Sequence, residues 1–308
     1  MNILGTYTAS LTPFNKDYSI NDDLFFNHCN NLLNQGSDGI VIFGTTGEAN
    51  LISIKNKMES LEKLVEKGFN PSNLIPGTGL SSLKETIELS KFAKKLNVSG
   101  ILVLPSCYYD NPSNQGVIDY YSKIVEAVCD ENFQVLLYHI PQKSGVPINH
   151  NIISSLIKKY PKNIVGMKDS ENNLEKMLET IKTFPGFKVF SGSDSLALES
   201  IKAGGVGAIT ATANISVALL SFIVKNAKKE EMKLNLDHAN VLQDKIRKVV
   251  FNQEQIAFMK AFLGLTNSKD DWDIIMPPLV KLNNVSDNKN IKELSKLLNE
   301  MEDLLASF

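Results

Sequence analysis

The chain has 308 residues, 43% of them hydrophobic, and a formal net charge of -2 at pH 7. One α/β barrel commonly needs about 250 residues plus additions at its ends, so a single barrel with an extension is the simplest account of the length. The near-balanced charge offers no broad basic field for nucleic acid or an anionic membrane, which leaves a small molecule as the expected ligand.

Residues 6–11 form an apolar run that leads into Thr12-Pro13, and residues 22–33 follow with apolar positions three or four apart. The first pattern predicts a buried strand, the second a helix with one apolar face. The alternation recurs. Strand-like runs lie at 39–43, 74–77, 100–104, 134–138, 164–168, 188–191 and 207–210, with helix-like stretches such as 83–96, 117–128 and 152–159 between them. Eight strands alternating with helices predict an α/β fold of the closed TIM (β/α)8 barrel kind. An open doubly wound sheet of this size usually carries a glycine fingerprint at its first turn, and none follows residues 6–11.

Beyond about Ala227 the strand runs stop, and the pattern turns helical apart from a loop at 266–272 and the Pro277-Pro278 break. The expected organisation is a catalytic barrel over 1–227 and a C-terminal helical region over 228–308. No Gly/Ser/Pro-rich linker separates them, so the tail is expected to pack on the barrel. Cys29, Cys107 and Cys129 are too scattered for a disulfide framework and form no CxxC pair. There is no basic leader before a long apolar stretch and no apolar span of about 18 residues, so a cytoplasmic protein without a membrane partner is expected.

The loops after the strands of such a barrel open on one face, where active sites gather. Lys168 closes the apolar run Ile164-Val165-Gly166-Met167, so its amine should project into the barrel mouth, where desolvation and neighbouring cations would lower its pKa and free a lone pair for attack on a ketone. The alternative is a lysine that ends its strand in solvent or pairs with Asp169. Tyr138 ends the run Val135-Leu136-Leu137, and its hydroxyl could relay protons, or its ring could simply pack with the hydroxyl satisfied. The turn Gly44-Thr45-Thr46-Gly47 offers backbone N–H groups and two hydroxyls to a carboxylate, against the reading of an ordinary glycine turn. Without a Gly-Lys-Ser/Thr ending it is not a phosphate loop.

Tyr108-Tyr109 could wall the site or cover apolar surface under a loop, and Cys107 beside them reads as a buried small residue. Of the four histidines, His139 alone falls near the site, whereas His28, His150 and His238 read as helix or loop residues. No His/Asp/Glu group has metal-ligand spacing, so no metal is expected.

Gly44-Thr45-Thr46-Gly47-Glu48, Tyr138-His139-Ile140-Pro141 and Gly166-Met167-Lys168-Asp169 together resemble the dihydrodipicolinate synthase and N-acetylneuraminate lyase family. The likeness runs almost end to end, from 5–13 through Tyr108-Tyr109 and Asn111-Pro112-Ser113 to Pro277-Pro278-Leu279. It implies a Schiff-base-forming class I aldolase, a lyase in which Lys168 forms an imine with pyruvate, Thr45 and Thr46 bind the pyruvate carboxylate, and Tyr138 shuttles protons. It also implies a relay of Thr45, Tyr138 and Tyr109, the last reaching in from a neighbouring subunit of a homotetramer built from dimers. Gly44 belongs to the binding turn, and Gly192 and Ile209 match positions that line the pyruvate pocket. No metal or organic cofactor is implied.

The second substrate is less determined. Dihydrodipicolinate synthases carry an arginine at the position of Lys143 to hold the carboxylate of aspartate semialdehyde, and lysine supplies the charge without the two-pronged fork. Sugar-acid aldolases of the family lack a cation there and bind substrate hydroxyls with polar groups after the 188–191 run. Asp194 matches one such position, while Ser195 replaces an acidic residue. The leading expectation is a synthase-type enzyme condensing pyruvate with an aldehyde, aspartate semialdehyde being the named candidate, which would place the chain in lysine biosynthesis. The rivals are an aldolase of 2-keto-3-deoxy acids and, in another class, a non-catalytic oxo-acid-binding barrel.

Overall fold

Side chains alternate across a strand, while every backbone N–H and C=O needs a partner, and these two demands decide how the apolar runs assemble. The computed structural model describes residues 3–266, 272–283, 285 and 288–307. Seven strands form one parallel sheet: β1 (Gly5–Ala9), β2 (Gly39–Val41), β3 (Ile101–Val103), β4 (Val135–His139), β5 (Ile164–Asp169), β6 (Lys188–Ser191) and β7 (Gly207–Thr210). Their order is β2-β1-β7-β6-β5-β4-β3.

The remaining expected strand, 74–77, stands between β2 and β3 and bridges both. Leu74 pairs with Ile40 and Gly77 with Leu102, each in parallel. The N–H groups of Ile75 and Gly77 donate to the Ile40 and Ile42 carbonyls at 2.9 and 2.8 Å, and Leu102 N–H donates to the Pro76 carbonyl at 3.0 Å. Pro76 has no N–H to return, so this side of the barrel is held by separate bridges in place of a continuous ladder. Eight segments were expected as strands, and seven of them are regular.

Helices α1 (Asp22–Asn34), α2 (Ile54–Glu66), α3 (Leu83–Lys95), α4 (Asn114–Val128), α5 (Pro141–Ser144), α6 (His150–Lys159), α7 (Leu174–Thr183), α8 (Asp194–Lys202) and α9 (Ala213–Asn226) lie between and after the strands. Asn21, Ser53, Ser82, Ser113, Asn149 and Asn173 each accept the N–H three residues on, the capping bond that starts a helix and contributes about 1 kcal/mol. Alternation then sorts the strand residues. Tyr7, Val41, Leu102, Leu136, Tyr138, Phe190 and Ile209 fill the barrel interior, whereas Ile40, Val103, Val135, Leu137, Met167 and Val189 pack outward against the helices.

Three further helices follow: α10 (Lys233–Phe251), α11 (Gln255–Thr266) and α12 (Lys289–Ala306). α10 lies against α8, α9 and α12, and a second core of Leu219, Leu242, Ile246, Phe258, Trp272 and Leu294 joins them. Residues 267–271 of the expected 266–272 loop lie outside the described residues. Among the described residues no helix is long and apolar enough to cross a membrane.

His28 illustrates what this packing does to a titrating group. Its Nε2 donates to Asn214 Oδ1 at 2.9 Å, and its ring meets Trp272 edge-on at 4.8 Å. Burial, opposed only by the Asn214 bond, pushes its pKa from 6.5 down to about 4. Between those values the unfolded chain binds more protons than the native one, so stability rises with pH across the window and is lost as pH falls through it. The loss attributable to His28 is on the order of 3 kcal/mol. Urea midpoints measured from pH 7 to 4 are expected to fall less steeply for His28→Gln than for the wild type, and parallel curves would contradict the assignment.

Candidate active site

β4 and β5 are neighbours in register, with Tyr138 opposite Lys168 and Lys168 opposite Phe190 of β6. Residues in one such row point to the same face, so the interior position of Tyr138 and Phe190 carries Lys168 inside as well. Lys168 is 6% exposed, and its Nζ stands 4.5 Å from the centre of the Tyr138 ring. The amine faces neither bulk solvent nor Asp169, which lies on the other face of β5 and accepts the Glu171 N–H at 3.0 Å.

The Tyr138 hydroxyl lies 3.3 Å from Thr45 Oγ1, and either can donate. Burial pushes the Tyr138 phenol up, but the positive charge of Lys168 and hydrogen bonds from Thr45, Ser170 and Lys168 outweigh it and hold the phenol below the usual tyrosine value. A phenol so placed can give up and recover a proton more readily than an ordinary tyrosine. Ser170 is a contributor that the sequence reading did not single out.

Thr45 sits in a single 3-10 turn, Thr45–Gly47, in which Gly47 N–H donates to Gly44 C=O at 3.0 Å. The turn is flanked by two non-glycine residues with left-handed backbone, Phe43 and Glu48, each at φ +56°. Such conformations cost on the order of 1–3 kcal/mol and persist where surrounding structure enforces them, often at functional sites. Gly47 is required: a Cβ there would come within 2.8 Å of Thr12 Oγ1 and 2.9 Å of the Ser10 carbonyl. Thr46 is buried beside it.

A cleft of about 220 Å³ opens over this turn. Gly44, Thr45, Tyr138 and Lys143 are among its lining residues, with Leu104 and Leu279 on its apolar side. Lys143 stands on the short helix α5, which Pro141 starts, and its side chain is exposed. Lys168, Thr46, Gly192, Asp194 and Ile209 do not line the cleft. Lys168 lies against the Tyr138 ring that does, and Ile209 is wholly buried in the barrel interior. Gly192 permits close approach, since a Cβ there would lie 2.0 Å from Ser170 Oγ.

Two candidate residues are placed elsewhere. Tyr109 is 79% exposed and stacks edge-on with Tyr108 at 5.3 Å, outside this chain's own cleft. Asp194 is fully buried, and its Oδ2 accepts from Thr212 Oγ1 and pairs with Arg247 Nη1 at 3.3 Å. Its Oδ1 has no partner among the described residues. Ser195 donates to Asp244 Oδ1 at 2.6 Å, so both positions after β6 are tied to α10. His139 is a structural neighbour of the site: Nδ1 accepts the Ile148 N–H at 3.1 Å and Nε2 meets Glu171 at 3.2 Å. Among the described residues no group of three or more His, Cys, Asp or Glu could hold a metal ion.

Glu48 carries the largest feature that the sequence reading passed over. Its carboxylate pairs with Lys260 of α11, and its Oε2 also accepts the Met276 N–H at 2.8 Å. No local signal connects residues 212 positions apart.

Known proteins resemble this chain in sequence and in fold. The model of the dihydrodipicolinate synthetase family matches residues 2–298. A 4-hydroxy-tetrahydrodipicolinate synthase of Helicobacter pylori strain J99 is 31% identical over 303 residues, 96% of this chain and 97% of that protein. The solved 4-hydroxy-tetrahydrodipicolinate synthase of Methylacidiphilum fumariolicum SolV superposes with a TM-score of 0.86 at 26% identity, covering 99% of this chain and 98% of that one. The Ruminococcus gnavus sialic acid aldolase shares the fold, with a TM-score of 0.87 at 20% identity over 97% of this chain and 98% of its own. A barrel that brings a buried lysine, a tyrosine and a threonine turn to one mouth, matched by that model almost end to end, belongs to the dihydrodipicolinate synthetase family, whose members are lyases of the class I aldolase kind.

Proposed function

We propose that this enzyme joins pyruvate to an aldehyde through a Schiff base on Lys168. The observation that carries the reading is the buried Lys168 amine held 4.5 Å from the Tyr138 ring, with the phenol in turn 3.3 Å from Thr45. The neutral amine attacks C2 of pyruvate, and the carbonyl oxygen departs as water after proton transfers through Tyr138. The protonated imine draws electrons from C3, which loses a proton to give an enamine. The enamine carbon then attacks the aldehyde carbon, and the aldehyde oxygen takes up a proton. Water, or an amine carried by the acceptor, attacks the imine carbon and releases product from Lys168.

Thr45 and Thr46 hold the pyruvate carboxylate through hydroxyl and backbone N–H groups of the strained turn, with Gly44, Gly192 and Ile209 shaping the pocket. Tyr109, exposed on this chain beside the equally exposed Tyr108, completes the proton relay from a partner protomer. Exposed aromatic surface of this kind suits a subunit interface, which makes a dimer the smallest active unit and a homotetramer of two dimers the expected assembly. Treating the protein with pyruvate and borohydride is expected to add one reduced pyruvyl group, located on Lys168 by peptide mass. An unmodified protein overturns the reading.

The acceptor is an aldehyde that carries a carboxylate, aspartate semialdehyde giving 4-hydroxy-tetrahydrodipicolinate being the foremost case. Lys143 supports this as a cation in an otherwise largely apolar cleft, as does the name of the relative that matches nearly the whole chain. A sugar-acid aldolase is the second reading, favoured by Asp194 Oδ1, which has no partner among the described residues and would suit a substrate hydroxyl. Asp194 is fully buried and bound to Arg247, so a hydroxyl could reach it only if α8 moved away from α10. Lys143→Arg separates the two. With a carboxylate-bearing aldehyde, kcat/KM is expected to rise about fivefold, the effect of one added charge-assisted hydrogen bond of ~1 kcal/mol. With 2-keto-3-deoxy acids it is expected to stay level or fall, and the reverse pattern would favour the sugar-acid reading.

A further inference from the structure

The Glu48–Lys260 pair is sealed from solvent, the two side chains being 0% and 1% exposed. Lys260 Nζ also donates to the Ile274 carbonyl at 3.0 Å and stands 4.4 Å from the centre of the Phe14 ring. Glu48 N–H donates to the Thr45 carbonyl at 3.2 Å, and Glu48 lines the same cleft as Thr45. The Glu48 carboxylate therefore lies buried behind the wall of the space that, on the function proposed above, receives the carboxylate of an oxo acid. In a poorly screened interior two such negative charges repel strongly. One cation, delivered from α11 of the C-terminal region, stands against that charge.

We propose that Lys260 makes the cleft receptive to an oxo-acid carboxylate by cancelling the Glu48 charge beside the binding turn. The proposal rests on the functional reading above but concerns affinity, not the Lys168 chemistry. Lys260 touches no substrate; it acts through Glu48. Burial lowers its pKa, and the Glu48 carboxylate pulls it part of the way back up. Such a role explains why a buried ion pair, seldom a net stabiliser in itself, would stand at this position.

The test is the pyruvate concentration that half-saturates borohydride trapping on Lys168 in the full-length protein. Lys260→Met leaves Glu48 uncompensated and is expected to raise that concentration by about tenfold or more, with trapping still complete at saturating pyruvate. Lys260→Arg, which restores a cation, is expected to recover most of the loss. The decisive variant is the double Glu48→Gln/Lys260→Met, expected to bind pyruvate more tightly than Lys260→Met alone. A purely structural role predicts that half-saturation simply follows folding stability, which urea midpoints of the same variants report, because the double change also removes the cost of an unpaired buried charge. Equal half-saturation in wild type and Lys260→Met, or a double variant as weak as the single one, overturns the proposal. Should Lys260→Met not fold, the double variant still decides: half-saturation about tenfold or more above wild type overturns it, since no charge remains to repel the anion. A wild type that is not trapped at all overturns the function proposed above and this proposal with it.

Discussion

Replacing Lys168 with alanine is expected to lower kcat/KM by about four orders of magnitude or more, equivalent to ~5 kcal/mol of transition-state stabilisation. The borohydride adduct should vanish with the activity, because among the described residues no other amine is held against the Tyr138 ring as Lys168 is. A second readout comes from the phenol. The charge of Lys168 is the first of the influences that oppose burial and hold Tyr138 below its usual value. Without it, the Tyr138 phenol is expected to move upward in an ultraviolet titration, Thr45 and Ser170 being left to oppose burial alone. A variant that keeps a tenth or more of wild-type turnover would remove Lys168 from the chemistry, and an unmoved phenol would show that its charge does not reach Tyr138.

The sequence located this pair because strand ends are local features. An apolar run that stops at Tyr138 and another that stops at Lys168 place both side chains at the barrel mouth, and the parallel register sets them side by side although they lie 30 positions apart. The same logic found residues 74–77, but not that Pro76 would reduce their ladder to bridges, since the cost of a missing N–H depends on which neighbour asks for it. Long-range partners were not legible. Helical periodicity shows that α10 and α11 have buried faces, but not that Arg247 meets Asp194 or that Lys260 meets Glu48. Asp194 shows the consequence: residue type and position suit a hydroxyl-binding role, and only the packing of α10 reveals that one of its oxygens is already held.

Tyr138→Phe is expected to lower kcat by about two to four orders of magnitude, the range for loss of a positioned general acid–base group. The substitution keeps the ring against which Lys168 rests and removes only the oxygen that meets Thr45 at 3.3 Å. Pyruvate should therefore still be trapped on Lys168, but more slowly, because proton transfer rather than attachment is impaired. The pH profile gives the sign. If the phenolate is the base, turnover rises with pH through the Tyr138 titration, which lies below the usual tyrosine value. Thr45→Val removes one of the hydrogen bonds that favour the phenolate, so it should shift that rise to higher pH, while Tyr138→Phe should abolish it. A Tyr138→Phe enzyme with half of wild-type turnover, or with an unaltered pH profile, would assign the proton transfers to another group.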